Sequence, residues 1–254
     1  MRILRLAAVA ALLGGLALPG SPASAQEAGG LVHQHWSFDG LFGTYDRAAA
    51  QRGFQVYKEV CAACHSLKHG HFRDLAGIGL SAADIKAIAA GETVPTIGDD
   101  GQPTTRPGLP SDQFPSPYPN EKAAIAALGI DPPDLSLIEK AREGGADYVY
   151  ALLTGFTEAP ANFKLAEGTY YNKAFPGHQI KMPKPLSDGQ VTYADGTPSD
   201  VPQMSHDVVT FLAYMSNPEL EERKRMGIKI VLFLVLLTGV VYAVKRKIWS
   251  NVEH

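Results

Sequence analysis

Cys61-Ala62-Ala63-Cys64-His65 contains both cysteines of a 254-residue chain and closes on a histidine. Two thiols separated by two residues can each add to one vinyl group of a haem, and the adjacent imidazole then stands under the iron as its proximal ligand. A thioredoxin-like pair would not require His65 and would sit at the start of a helix that follows a strand, and no such strand is legible ahead of Cys61. A structural zinc site would need two further ligands at short spacing; Cys-x-x-Cys-His with His69 and His71 behind it is not a usual zinc pattern. The motif therefore predicts one covalently bound haem c, held by Cys61 and Cys64 with His65 on the iron.

Outward from the motif, the chain reads as helices joined by long irregular stretches. Asp46 is a cap candidate for a helix reaching Val60, whose Phe54, Tyr57 and Cys61 fall at helical spacing and would carry the thiols to the haem edge. Ser81 to Ala90 predicts a second helix that stops at Gly91. From Gly91 to Asn120 the composition is Pro, Gly, Asp and Thr without apolar period, which predicts a long loop. Helices are expected over Glu121–Leu128, over Asp134–Arg142 after Pro132-Pro133, over Asp147–Leu153 and over Ser205–Met215. Gly189 to Gly196 reads as a small hairpin or extended turn.

Both ends are apolar. Arg2 and Arg5, the run Leu6–Leu18, the break at Pro19-Gly20 and Ala23-Ser24-Ala25 have the order of a secretory signal peptide, expected to occupy residues 1–25. Met226 to Val244, interrupted by Lys229, would span roughly 28 Å at ~1.5 Å per residue, close to a bilayer core of ~30 Å. Basic clusters flank it on both sides, so export of the N-terminus sets its orientation. The expected order is a periplasmic domain at 26–222, a membrane anchor at 223–246 and a cytoplasmic tail at 247–254. Bacterial inner-membrane attachment, with the haem domain outside, follows from it.

The whole chain has a formal charge of −3, but Gln26 to Leu220 carries 14 basic against 23 acidic side chains, 14 − 23 = −9. An acidic tethered domain would steer a basic soluble partner and disfavours nucleic acid. For the second axial position, the residues leave two candidates. Met182 follows Tyr170, Tyr171, Phe175 and Pro176-Gly177 and is stiffened by Pro183 and Pro185; His178 is its rival. Met204 and Met215 read as core. Pro132 and Pro133 offer an apolar edge, and the Arg142 guanidinium could pair with a propionate.

Several stretches resemble one family. Arg52-Gly53-Phe54-Gln55-Val56-Tyr57-Lys58-Glu59-Val60-Cys61 with Cys64-His65-Ser66 is similar to the haem-attachment region of cytochrome c1. Arg106-Pro107-Gly108, Phe114-Pro115-Ser116-Pro117-Tyr118-Pro119-Asn120, Pro132-Pro133-Asp134-Leu135-Ser136, Gly144-Gly145-Ala146-Asp147-Tyr148-Val149, Leu152-Leu153-Thr154-Gly155 and Arg223-Lys224-Arg225-Met226-Gly227 carry the resemblance to the C-terminal anchor. It is closest to the alphaproteobacterial type.

The resemblance implies a mostly α, class I cytochrome c-like haem domain with long loop insertions and one C-terminal transmembrane helix. It implies His65 and Met182 as axial ligands, Arg142 at a haem propionate, and Tyr148 against the haem near Pro132 and Pro133. It also implies a subunit of the cytochrome bc1 complex, ubiquinol-cytochrome c reductase, with cytochrome b and a Rieske iron-sulfur protein as partners in a dimeric, lipid-embedded assembly. Such a subunit takes one electron from the Rieske protein and passes it to a soluble c-type cytochrome, with no bond chemistry of its own. The chain departs from the family at Ala127-Leu128-Gly129-Ile130-Asp131, where an Asn-Gly turn is common. An anchored subunit of another respiratory complex and a haem enzyme with an open iron site are the competing readings.

Overall fold

A computed structural model describes residues 31–251, so the expected signal peptide lies outside the described residues. The architecture is mostly helical. Asp46 Oδ1 accepts from Ala49 N–H (3.1 Å) and opens helix α1, Arg47–Glu59. Ser81 and Asp84 form a capping box on α2, Ala82–Ala90, and Gly91 ends it. Asn120 caps α3, Glu121–Leu128, which stops at Gly129 in the left-handed conformation (φ 73°). Helix α4 runs Gly145–Thr154, and α5 runs Val201–Ser216. The last, α6, begins four residues further on and covers Leu220–Ile248.

Helix α1 crosses α5 at the centre of the domain. Gly53 makes that approach possible, because a Cβ there would overlap the backbone carbonyl of Asp207. Around the crossing, Phe54 and Tyr57 meet Phe211 at ring separations of 5.5 and 5.7 Å. Phe114 packs on Phe72 at 4.8 Å and continues the cluster. Fully burying each such ring contributes about 1.5–3 kcal/mol. Helix α5 starts earlier than Ser205 because Asp200 caps it, accepting from Gln203 N–H at 2.8 Å, with Pro202 in its first turn.

Two expectations are corrected. Residues 91–120 contain an antiparallel hairpin of β1, Thr93–Ile97, and β2, Pro103–Pro107. Prolines at 95, 103 and 107 mask the strand pattern, yet a two-stranded ribbon leaves half its N–H groups unpaired and accommodates them. Residues 134–142 do not form a helix but a series of turns. The Asp134 carboxylate and the Leu135 and Ser136 N–H groups are bonded to the loop after His65 and to each other instead. Residues 189–196, read as a small hairpin or extended turn, form turns at Gly189 and Gly196 (φ 76° and 75°) without a ladder. The second hairpin pairs β3, Tyr170–Tyr171, with β4, Gln179–Ile180.

Helix α6 is, among the described residues, the one helix long and apolar enough to cross a membrane, with a mean hydropathy of 2.4 over its most apolar window and none of that window buried. Its foot is bonded into the domain. Arg47 pairs with Glu221 at 2.9 Å, and Tyr45 O–H donates to Ala213 O and Asn217 O at 3.0 and 3.1 Å.

Candidate functional site

Past the end of α1, Cys61–Ala63 form one 3-10 turn, and His65 N–H donates to Cys61 O at 2.9 Å. That turn places two free, half-buried thiols and the imidazole on a single compact segment. Burial pushes the Cys61 thiol up to about 12. His65 Nδ1 lies 2.8 Å from Pro133 O. A carbonyl can only accept, so Nδ1 carries the proton and the Nε2 lone pair remains available to a metal. Burial also lowers the His65 pKa below its usual value, against the opposing bond to Pro133, which keeps the ring neutral.

The Pro133 carbonyl is fixed in turn by its neighbour. Asp134 accepts from Ser66 O–H (2.7 Å), Lys68 N–H (2.9 Å) and Ser136 N–H (2.9 Å). Leu135 N–H donates to Ser66 O at 2.9 Å and His69 N–H to Ser136 Oγ at 3.0 Å. Residues 132–136 are thus laced to the loop behind His65. Burial pushes the Asp134 carboxyl up, but its hydrogen bonds outweigh this and hold it below the usual range. Asp134 was legible only as a helix start; nothing in its local sequence marks Ser66 and Lys68 as its partners.

Tyr148 is buried on α4, and burial raises its hydroxyl pKa while the nearby Arg142 charge opposes the rise. Arg142 itself is exposed, with Nη1 donating to Ala141 O at 3.0 Å. The two are linked by Gly144 and Gly145 at φ 83° and 51°, a turn that a side chain at either position would strain. Asp147 points elsewhere, accepting from His33 (2.7 Å), Gln34 N–H (2.9 Å) and Trp36 Nε1–H (2.7 Å), and staples the N-terminal segment to α4.

Met182 is half-buried in an irregular segment between buried Ile180 and Leu186. Lys181 Nζ lies 3.5 Å from Gly129 O, so this segment borders the chain that leads through Pro132 and Pro133 to His65. No direct Met182–His65 contact is present among the described residues. His178 has φ 59°, its Nδ1 is 3.2 Å from Asn172 O, and its ring stacks on Tyr171 at 5.6 Å. Asn172, fully buried, donates to Leu152 O (2.8 Å) and accepts from Ala174 and Phe175 N–H (2.9 and 3.1 Å), pinning this loop to α4. Sequence reasoning missed it, since only the folded chain brings residue 172 against residue 152.

The donor set fits a covalently held haem better than zinc. Free thiols two residues apart and an imidazole with Nε2 unencumbered suit the first. Among the described residues no group of three or more His, Cys, Asp or Glu side chains converges as an ion site would need.

Residues 36–252 match the model of the Cytochrome C1 family. A Rhodospirillum rubrum protein named cytochrome c1 is 45% identical, covering 92% of this chain and 93% of the relative. A Solanum tuberosum protein named cytochrome c1-2, heme protein, mitochondrial is 49% identical over 85% of this chain and 84% of its own length. A Bradyrhizobium diazoefficiens protein named cytochrome b/c1 is 50% identical over 85% of this chain, which spans only 35% of that relative's length. With the motif on its turn, the imidazole oriented and the match running through nearly all the described chain, this protein belongs to the cytochrome c1 family.

Proposed function

We propose that this chain carries one haem c and serves as the electron-transfer subunit of a ubiquinol-cytochrome c reductase, receiving single electrons from a Rieske iron-sulfur protein and delivering them to a soluble c-type cytochrome. The observation that carries the reading is the 2.8 Å bond from His65 Nδ1 to Pro133 O, which leaves Nε2 as the ligand atom. Cys61 and Cys64 supply the thioether sulfurs. The bound haem supplies a one-electron couple, whose potential a methionine ligand raises relative to two nitrogens.

The chain's own residues hold, orient and exclude. Pro133 O fixes the His65 tautomer, and Asp134 fixes Pro133. Met182 would supply the second ligand, on a segment that borders the chain leading through Pro132 and Pro133 to His65. Arg142, with no carboxylate partner among the described residues and its charge beside Tyr148, would pair with a propionate, and Tyr148, Pro132 and Pro133 would line the haem edge. The acidic excess between residues 26 and 220 steers a basic acceptor, an effect that salt weakens.

The relative named cytochrome b/c1 supports assembly with cytochrome b. In this reading residues 26–222 face the periplasm, 223–246 cross the inner membrane once, 247–254 form a cytoplasmic tail, and the complex is a lipid-embedded dimer. The test is the spectrum of the oxidised protein. A far-red methionine-to-iron charge-transfer band is expected, absent in Met182→Leu and retained in His178→Ala; the reverse pattern would make His178 the ligand. Purification with cytochrome b and a Rieske protein tests the assembly.

A further inference from the structure

Lys224, at the foot of α6, is tied to a loop that the haem site does not use. Its Nζ donates to Phe38 O at 2.7 Å and to Gly43 O at 3.1 Å. The loop is closed at its neck by Thr44 N–H donating to Ser37 O (3.0 Å), and Asp46 N–H donates to Ser37 Oγ (3.0 Å). A Cβ on Gly43 would overlap the Asp39 carbonyl, so the turn admits no bulk there. The loop is held firmly, yet its tip is bare: Leu41 is 62% and Phe42 80% exposed.

The surroundings identify what covers them. Leu41 and Phe42 line a cleft of about 170 Å³ with Thr44, Lys224, Arg225 and Ile228. Ile228 already belongs to the apolar run that starts at Met226, and exposed Arg225 is the last residue before that run. The tip therefore stands level with the point where α6 changes from charged to apolar. Glu221, which also lines this cleft, is matched by Arg47 at 2.9 Å.

We propose that the loop at residues 37–44 is a second membrane anchor: Leu41 and Phe42 enter the acyl boundary beside α6, and Arg225 pairs with a phospholipid phosphate above them. Apolar tips flanked by a basic side chain suit that interface. The inference rests on reading α6 as a membrane span. Two attachment points would stop the haem domain from swivelling about the α6 axis.

The full haem-loaded chain is placed in nanodiscs of phosphatidylcholine and phosphatidylglycerol containing a phospholipid with a diazirine near the top of its acyl chain. After illumination, labelled peptides are mapped by mass spectrometry. Label is expected on the peptide bearing Leu41 and Phe42 and on the α6 apolar run, and Leu41→Ser/Phe42→Ser should lose only the first, with an unchanged haem spectrum. Arg225→Gln should weaken loop labelling; unchanged labelling overturns the phosphate contact. Label on α6 alone overturns the proposal and leaves the membrane span standing, whereas label on neither overturns both. Loop label that disappears when the native complex is tested in the same lipid assigns the tip to a neighbouring subunit and overturns the proposal.

Discussion

Arg52 grips Asp207 through Nε (2.9 Å) and Nη2 (3.0 Å), joining α1 to α5 at a carboxylate with no exposed surface. Nη1 of the same guanidinium reaches Asp195 at 2.9 Å, and its plane lies 5.8 Å from the Tyr193 ring centroid. Removing the cation would strand a buried charge. Arg52→Met is expected to cost about 3–5 kcal/mol in chemical denaturation, while Arg52→Met combined with Asp207→Leu should recover a substantial part of that loss.

One residue later, Gly53→Ala sets two effects against each other. Alanine in a helix interior is favoured over glycine by ~1 kcal/mol. The new methyl, however, would overlap the Asp207 carbonyl and crowd Phe211 Cβ, and neither is a flexible chain end. Overpacking should win, with a net loss of roughly 2 kcal/mol in the same assay.

Strong acid should loosen the turn that follows the β1–β2 hairpin. Asp112 accepts from Arg106 Nη1 and Nη2 (2.6 and 2.8 Å) and from Leu109 N–H (2.7 Å). The bond to Arg106 chiefly holds its carboxyl down at about 2, below the ordinary 3.8. A depressed carboxylate stabilises the fold fully above its unfolded pKa, and that contribution is lost as pH falls through the folded value. The difference in thermal midpoint between the natural chain and Asp112→Asn should therefore be constant near neutrality and vanish toward pH 2; a difference unchanged across that range would refute the pairing.

Glu139 behaves in the opposite sense. Its Oε1 is sealed from solvent without a hydrogen-bond partner among the described residues, and burial raises its pKa well above the ordinary value. An acid with a raised pKa weakens the fold progressively as pH climbs from its unfolded value of about 4.3 toward the folded one. Glu139→Gln should thus gain roughly 1–2 kcal/mol at pH 8 and little at mildly acidic pH, read by denaturant titration at both.

Local signals carried much of this fold. Asp46, Ser81 and Asn120 each precede a helix that their side chains cap, because capping is settled within four residues. The haem motif was legible for the same reason. Asp134 misled, since a carboxylate after Pro-Pro looks like a cap until Ser66 and Lys68 arrive from far away in sequence. The β1–β2 ribbon was hidden by its prolines. Asn172 and Arg52 act across long stretches of chain, and composition holds no trace of such partnerships.

The α1–α5 crossing also has a consequence in time. Arg52 waits 155 residues for Asp207, so the helix leading into Cys61 lacks its α5 partner until most of the domain has been made. At ~5–20 residues per second, synthesis alone separates the two by roughly 8–30 s. During that interval the thiols lie on a chain that has not yet closed over them. A closure that waits for so distant a partner thus leaves a window in which a bulky prosthetic group can be attached before there is a wall in the way.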